Sequence, residues 1–380
     1  MNNKTYTITC HNVFNCGASL QAFALQQYIK SLGIDNKIID YNPAYLSWHY
    51  RLSWWIPSKS SHYNLLKRNP LLRVFYVIIR YFMELKTIRR KKRFEEFNKE
   101  LDLTVRFYNL EQLSIILSKG DVFIVGSDQV WNSDTLENGM DPVFYLDFVT
   151  EGKRISYAAS FGTQKLGIDI DVLNNYLNRF AGISLRENSA QLLIQPLGLK
   201  ASVVCDPVFL ISRSQWQSLG KRSVLDSECM NEFLLVYNLG KKDEKLVKDV
   251  HWLSNKNGIN IVNIVNSDAG KLRGAKNYLN IGPYDFLSLL SKASMVFTNS
   301  FHAVAFSLIF NKDFFVYSNT VSGSVGRITD LLDSISLKGR IVDDNNPIHK
   351  IQPIEYSKYN QSLNDYIGYS KDWLNAYLKG

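Results

Sequence analysis

TYTITCHNVFNCGASLQAFALQQYIKSLGIDNKIIDY, residues 5–41, sets the fold class. Thr5–Cys10 alternates polar and apolar side chains, the period of a strand, and His11–Cys16 reads as a loop. Gly17–Leu32 carries a dense apolar helical pattern, and Gly33 follows it as a C-terminal cap would. Lys37–Tyr41 (KIIDY) makes a second short strand. Strand, helix, strand in one short stretch is the unit from which parallel sheets are built.

Working outward, the alternation continues. Asp121–Val125 (DVFIV) reads as a buried strand running into Gly126-Ser127-Asp128-Gln129. Further strands are expected at Arg154–Ala159, Gly182–Leu185 and Ala201–Cys205, with helices near Asp169–Phe180 and Glu187–Gln195. Ser, Lys, Asp and Asn collect over 221–231 and mark a boundary. Beyond it, strands are expected at Glu232–Leu239, Ile259–Val265, Met295–Thr298 and Phe314–Tyr317. Helices are expected at Asp243–Asn255, Tyr284–Ser291, Phe301–Phe310 and Ser324–Ser334, with a closing helix near Tyr359–Leu378. The pattern predicts an α/β chain of two doubly wound, Rossmann-like domains facing a cleft. Residues 1–215 form the first, with a basic helical segment at 65–100, residues 228–345 the second, and 346–380 a helical tail. In such sheets ligands bind outside the carboxyl ends of the strands.

The bulk composition narrows the classes. In 380 residues, 46% hydrophobic and 21% charged side chains exclude long disorder. Cys10, Cys16, Cys205 and Cys229 show no CxxC spacing and no histidine cluster, so no metal site is expected; no cofactor is expected either. Few cysteines and no secretory signal point to the cytoplasm. The net charge of +9 is partly local, since Lys86, Arg89, Arg90, Lys91, Lys92 and Arg93 crowd into 86–93. The apolar stretch Leu71–Leu85 before them is too short and too charged to span a bilayer. Two readings stay open: a long helix with a solvated basic face, or a surface helix in peripheral contact with anionic lipid at the inner face of the membrane. No nucleic-acid-binding motif accompanies the charge, so nucleic acid is not an expected partner.

Three constellations could carry chemistry. Thr298-Asn299-Ser300-Phe301-His302-Ala303 ends a strand and begins an apolar helix, whose free N–H groups and dipole suit a phosphate or carboxylate. Asn299 or Ser300 could be the N-cap, while His302 in the first turn is a candidate acid. Val125–Asn132 ends a buried strand; Asp128, Gln129 and Asn132 offer groups for sugar hydroxyls, and Trp131 offers a stacking face or a core filler. The opening loop supplies His11, Asn12 and Asn15, and its helix start lacks the dinucleotide fingerprint. Arg186 and Arg327 lie where anion-binding arginines would be wanted.

Together HNVFNCGASLQAFAL (11–25), FIVGSDQVWN (123–132), YAASFG (157–162), SLRE (184–187), CDPVFL (205–210) and TNSFHAVAFSLIF (298–310) resemble, in order, the polysaccharide pyruvyl transferases. The resemblance implies a GT-B-like fold, phosphoenolpyruvate as donor co-substrate, and a hexose of a surface polysaccharide or its lipid-linked precursor as acceptor. The C-terminal domain is then expected on the donor side, and the position of Asp128 and the opening loop puts the acceptor on the N-terminal one. On this pattern His302 and Arg186 fall at donor-side positions, beside Asn299, Ser300 and Arg327. Asp128 becomes a candidate for the acceptor proton, and His11, Asn12, Asn15, Gln129, Trp131 and Asn132 for acceptor binding. Characterised relatives carry an arginine where this chain has Ser300; Arg327, Lys312 or Arg273 could supply that charge. A glycosyltransferase with a nucleotide-sugar donor and a non-catalytic glycan-binding relative are the competing readings.

Overall fold

The computed structural model describes residues 4–47, 66, 68–117, 119–135, 139–163, 166–225, 232–317 and 324–379. Two parallel sheets carry the fold. The first joins β1 (Lys4–Ile8), β2 (Asp35–Tyr41), β3 (Leu103–Phe107), β4 (Lys119–Val125), β5 (Glu151–Ala159), β6 (Gly182–Leu185) and β7 (Ala201–Val203), in the order β3-β2-β1-β4-β5-β6-β7. The second joins β8 (Phe233–Tyr237), β9 (Asn260–Val265), β10 (Lys276–Leu279), β11 (Met295–Thr298), β12 (Asp313–Tyr317) and β13 (Ile341–Val342), in the order β10-β9-β8-β11-β12-β13. Strand order reverses between β1 and β4 and again between β8 and β11, which opens a crevice at each switch point. The principal helices are α1 (Cys16–Ser31), α2 (Pro70–Asn98), α3 (Leu110–Ile116), α4 (Ile170–Leu177), α5 (Asn188–Ile194), α6 (Arg213–Gly220), α7 (Glu244–Asn257), α8 (Pro283–Lys292), α9 (Phe301–Phe310), α10 (Ser324–Ser334) and α11 (Asn360–Leu378). The expected linker over 221–231 lies partly outside the described residues, as does Cys229.

The sequence explains where each element sits. β4 ends in four buried apolar residues and β8 is buried throughout, as strands covered on both faces require. β1 instead turns Thr5 and Thr7 inward, and Asn36 on β2 satisfies both, donating at 2.8 and 3.1 Å. α1 starts where the Asn15 side chain accepts from the N–H groups of Gly17 and Ala18. It is apolar nearly all round and correspondingly buried, packing on Pro207–Phe209 and on α8 of the second half. α9 is apolar apart from His302 and Ser307, and equally buried apart from a half-buried Ile309. The ring of Trp216 joins the halves, 5.9 Å from Phe23 of α1 and 5.0 Å from Phe306 of α9. One hydrophobic cluster therefore runs through both sheets.

Two helices cross between the halves. The basic stretch of α2 is only partly solvated: Arg90 donates to the Phe14 carbonyl at 2.5 Å, and Arg93 pairs with buried Asp285 of α8 at 2.6 Å. α11 returns from the second half to the first sheet, where Tyr377 covers Gly182 and Ser370 accepts from the Cys205 N–H at 2.8 Å. Among the described residues no helix is long and apolar enough to cross a membrane.

Candidate active site

At the facing switch points, the loops after β1, β4, β5, β6, β7 and β11 bring a cluster of charged groups together. Arg186, just after β6, is its centre, and its side chain is wholly buried. The guanidinium donates to Asp206 at 2.9 Å and to Asp128 at 3.2 Å, and its Nε lies 3.7 Å from Glu187. Its face lies over the ring of Phe301, 4.8 Å from the centroid, so a residue of α9 closes it off from the second half. Burial alone would lower the Arg186 pKa, but Asp128, Asp206 and Glu187 more than offset it, holding the group firmly charged.

Asp206 follows β7 in the CDPVFL segment and caps the short turn Pro207–Phe209 by accepting from the Val208 N–H at 3.1 Å. Its other oxygen takes Arg186, and Ser127 donates to it at 3.3 Å. The same oxygen lies 3.5 Å from Nε2 of His302, an ion-pair distance without a formed hydrogen bond. Burial would raise the Asp206 carboxyl, yet His302 and Arg186 hold it well below the usual carboxylate range. Glu187 moves the other way: burial raises it against the pull of Arg186 and Arg327, and Ser160 donates to it at 2.6 Å.

His302 occupies the first turn of α9, and no side chain caps that helix. The start of α1 meets it directly, because a Cβ placed on Gly17 would stand 2.0 Å from His302 Nδ1. Two helix N-termini therefore converge on one imidazole, whose Nε2 faces a buried carboxylate. Arg327 of α10 joins the cluster from the far side. With its amide oxygen turned toward Arg327, Gln129 accepts from both terminal nitrogens at 2.8 and 2.6 Å. Desolvation, then repulsion from Arg186, pushes the Arg327 pKa down to about 10.

The structure thus gathers His302, Asp128, Gln129, Arg186 and Arg327, and adds Asp206, Glu187 and Gly17, to which the motifs had given no role. The signal for Asp206 was its position before proline at the end of a strand, where a carboxylate caps a turn and faces the crevice. Asp128 stays 14% exposed, in the left-handed region at φ 72°, which turns its carboxylate back onto Arg186.

Several expectations need correction. Trp131 is a core residue: its indole donates to the Phe144 carbonyl at 2.9 Å and it stacks on Tyr145, so no face is left for a sugar. Arg186 is spent on carboxylates and shielded by Phe301, so it positions the cluster rather than reaching a ligand. Asn299 clasps the loop after β8 by accepting from the Leu239 N–H at 2.7 Å and donating to the Leu239 carbonyl at 2.9 Å. His11 is buried 3.3 Å from Asp40, Asn15 is the cap of α1, and Asn132 accepts from the Asp134 N–H at 2.9 Å. Ser300 is buried and makes no cap bond. Lys312 lies beyond the opposite end of α9 from His302, and Arg273 precedes β10 at the sheet edge; neither replaces the missing arginine. Asn12 lies apart, lining a polar cavity of about 420 Å³ with Asn98, Lys91, Lys99, Arg106 and Tyr108.

The comparisons with known proteins agree with this architecture. The chain is similar over its full length to a Listeria monocytogenes structure described as a UDP-N-acetylglucosamine 2-epimerase, at 9% identity and a TM-score of 0.56, covering 100% of this chain and 96% of that one. A Staphylococcus aureus MnaA–UDP structure matches at 11% identity and a TM-score of 0.53, covering 99% and 97%. The Arabidopsis thaliana UGT89C1 complex with UDP-L-rhamnose covers 100% and 99% at 11% identity and a TM-score of 0.48. At 9% and 11% identity the first two likenesses show the fold alone, which is GT-B-like. No curated protein sequence matches the chain. The family model described as polysaccharide pyruvyl transferase matches residues 15–320, most of the chain and every residue of the charged cluster except Arg327. The chain belongs to the polysaccharide pyruvyl transferase family.

Proposed function

We propose that the protein transfers the pyruvyl group of phosphoenolpyruvate to two hydroxyls of a hexose in a surface glycan or its lipid-linked precursor, forming a cyclic ketal. The observation that carries this reading is His302, set at the uncapped start of α9 with Nε2 3.5 Å from Asp206. A helix start binds the donor's phosphate or carboxylate, and the imidazole beside it supplies a proton. That proton goes to the methylene carbon, which becomes a methyl group and leaves a cationic centre at C2. A sugar hydroxyl bonds to C2, the C2–O bond to phosphate breaks with its electron pair leaving on phosphate, and the second hydroxyl closes the ring. Of the two hydroxyl protons, one replaces that given by His302 and the other leaves with phosphate. Asp128, the cluster's more exposed carboxylate, takes the first hydroxyl proton.

Asp206 and Arg186 act through position. Asp206 orients the imidazole, while Arg186 fixes Asp206 and Asp128 in one frame. Arg327 is the cation that we assign to the role left open by Ser300. The cavity beside Asn12, lined by amides, a phenol, three cations and Glu95, is where we place the next sugar of the acceptor. Thermal unfolding with each donor class tests the donor, since a ligand that binds only the folded state raises the melting temperature. Phosphoenolpyruvate should stabilise the protein and a UDP-hexose should not. The reverse would establish the nucleotide-sugar reading, and no shift with either would favour a glycan-binding relative.

A further inference from the structure

Helix α2 wears its amphipathicity inside out along its N-terminal half. Over Pro70–Tyr81, Arg73, Tyr76 and Val77 lie on the more covered side. Leu71, Leu72, Val74, Phe75, Ile78 and Ile79 all face outward, with Leu71 80% and Phe75 64% exposed. At about 100° per residue these six cover an arc of roughly half the helix. Single exposed apolar residues are ordinary, but an entire outward face of them marks a surface that meets an apolar medium. The charge that continues this face specifies which medium. Over 70–93 the chain holds eight basic residues against one acidic, and Arg89 and Lys92 are exposed about three to four turns beyond the apolar face. A protein partner would need only the apolar face. An apolar face continued by cations matches the boundary of a bilayer with anionic headgroups, where the face enters the acyl region and the cations meet phosphate.

We infer that Pro70–Lys92 docks the protein on an anionic lipid surface, the N-terminal half of α2 lying in the interface plane. The same helix continues to the active-site rim, where Arg90 holds the Phe14 carbonyl and Arg93 holds Asp285. Docking therefore presents the cleft to a substrate held at the membrane, a consequence that rests on the proposed pyruvyl transfer. Docking itself does not depend on it and is measured without donor or acceptor.

Co-sedimentation of the full chain with vesicles of phosphatidylcholine, alone or mixed with phosphatidylglycerol, tests the inference. Wild type should bind the mixed vesicles, bind the neutral ones several-fold more weakly, and release as salt rises. Phe75→Glu with Ile79→Glu should weaken binding about tenfold or more, since each loses a buried apolar side chain. Arg89→Gln with Lys92→Gln should weaken it several-fold on mixed vesicles only. Wild type that stays in the supernatant would overturn the inference. So would a wild-type dimer by light scattering that the Phe75→Glu, Ile79→Glu variant dissociates, because the face would then belong to a second copy. Should that variant fail to fold, the comparison of lipid compositions and salt on wild type still decides.

Discussion

In the proposed mechanism His302 is the acid and Asp206, 3.5 Å from its Nε2, the group that orients it. His302→Gln keeps a hydrogen-bonding side chain but cannot deliver a proton at neutral pH, so turnover should fall by roughly 10²–10⁴-fold with donor affinity largely kept. Weakened donor binding with near-normal turnover would make His302 a binding residue instead. Asp206→Asn tests the frame beneath it. Removing one partner of a fully buried pair costs about 3–5 kcal/mol, so the variant should unfold at a markedly lower denaturant midpoint. Because the folded-state pKa of Asp206 is depressed, its contribution is present above the unfolded value near 4 and fades as pH falls through the lowered one. The stability gap between wild type and variant should therefore be full at neutral pH and shrink in acid. At this scale sequence reading singled out His302, Asp128 and Arg327, which the structure gathers into one charged cluster. It misjudged Arg186 and Trp131, because a residue type names the bonds a side chain can make and only packing decides which partner reaches it first.

The short, mostly buried strands β6 and β11 and the helices α9 and α10 fall where the sequence pattern put them, and α1 within a residue. β3, β10 and β13 were not anticipated. β3 is a sheet edge whose five residues include one buried side chain, and β13 has two residues, so neither carries a periodic signal. The basic stretch of α2 shows the complementary failure. Its charges look solvated in sequence, yet Arg90 and Arg93 point inward and tie the helix to both halves. Asp285 also accepts from the Gly282 N–H at 3.0 Å and from Ser223 at 2.7 Å, so it anchors the start of α8 as well. Arg93→Ala leaves that buried carboxylate without its cation and should cost about 1–3 kcal/mol in chemical denaturation. A change below ~0.5 kcal/mol would show that the pair bridges the halves without holding them.

On the scale of the whole molecule, two switch points and one shared hydrophobic seam frame a cleft with a charged cluster that spans both halves. Fold and family were legible because ordered motifs lie at strand ends, where this architecture concentrates its sites. The donor and the acceptor hydroxyls were not, since they depend on contacts made across the cleft by residues distant in sequence. The most direct test of the account is the product itself. Incubated with phosphoenolpyruvate and a panel of hexosides, the protein should release phosphate and give, in equal amount, a sugar whose NMR spectrum shows a new methyl singlet and a quaternary ketal carbon. Phosphate release without a ketal carbon, or hexose transfer from a nucleotide sugar by the same preparation, would contradict it.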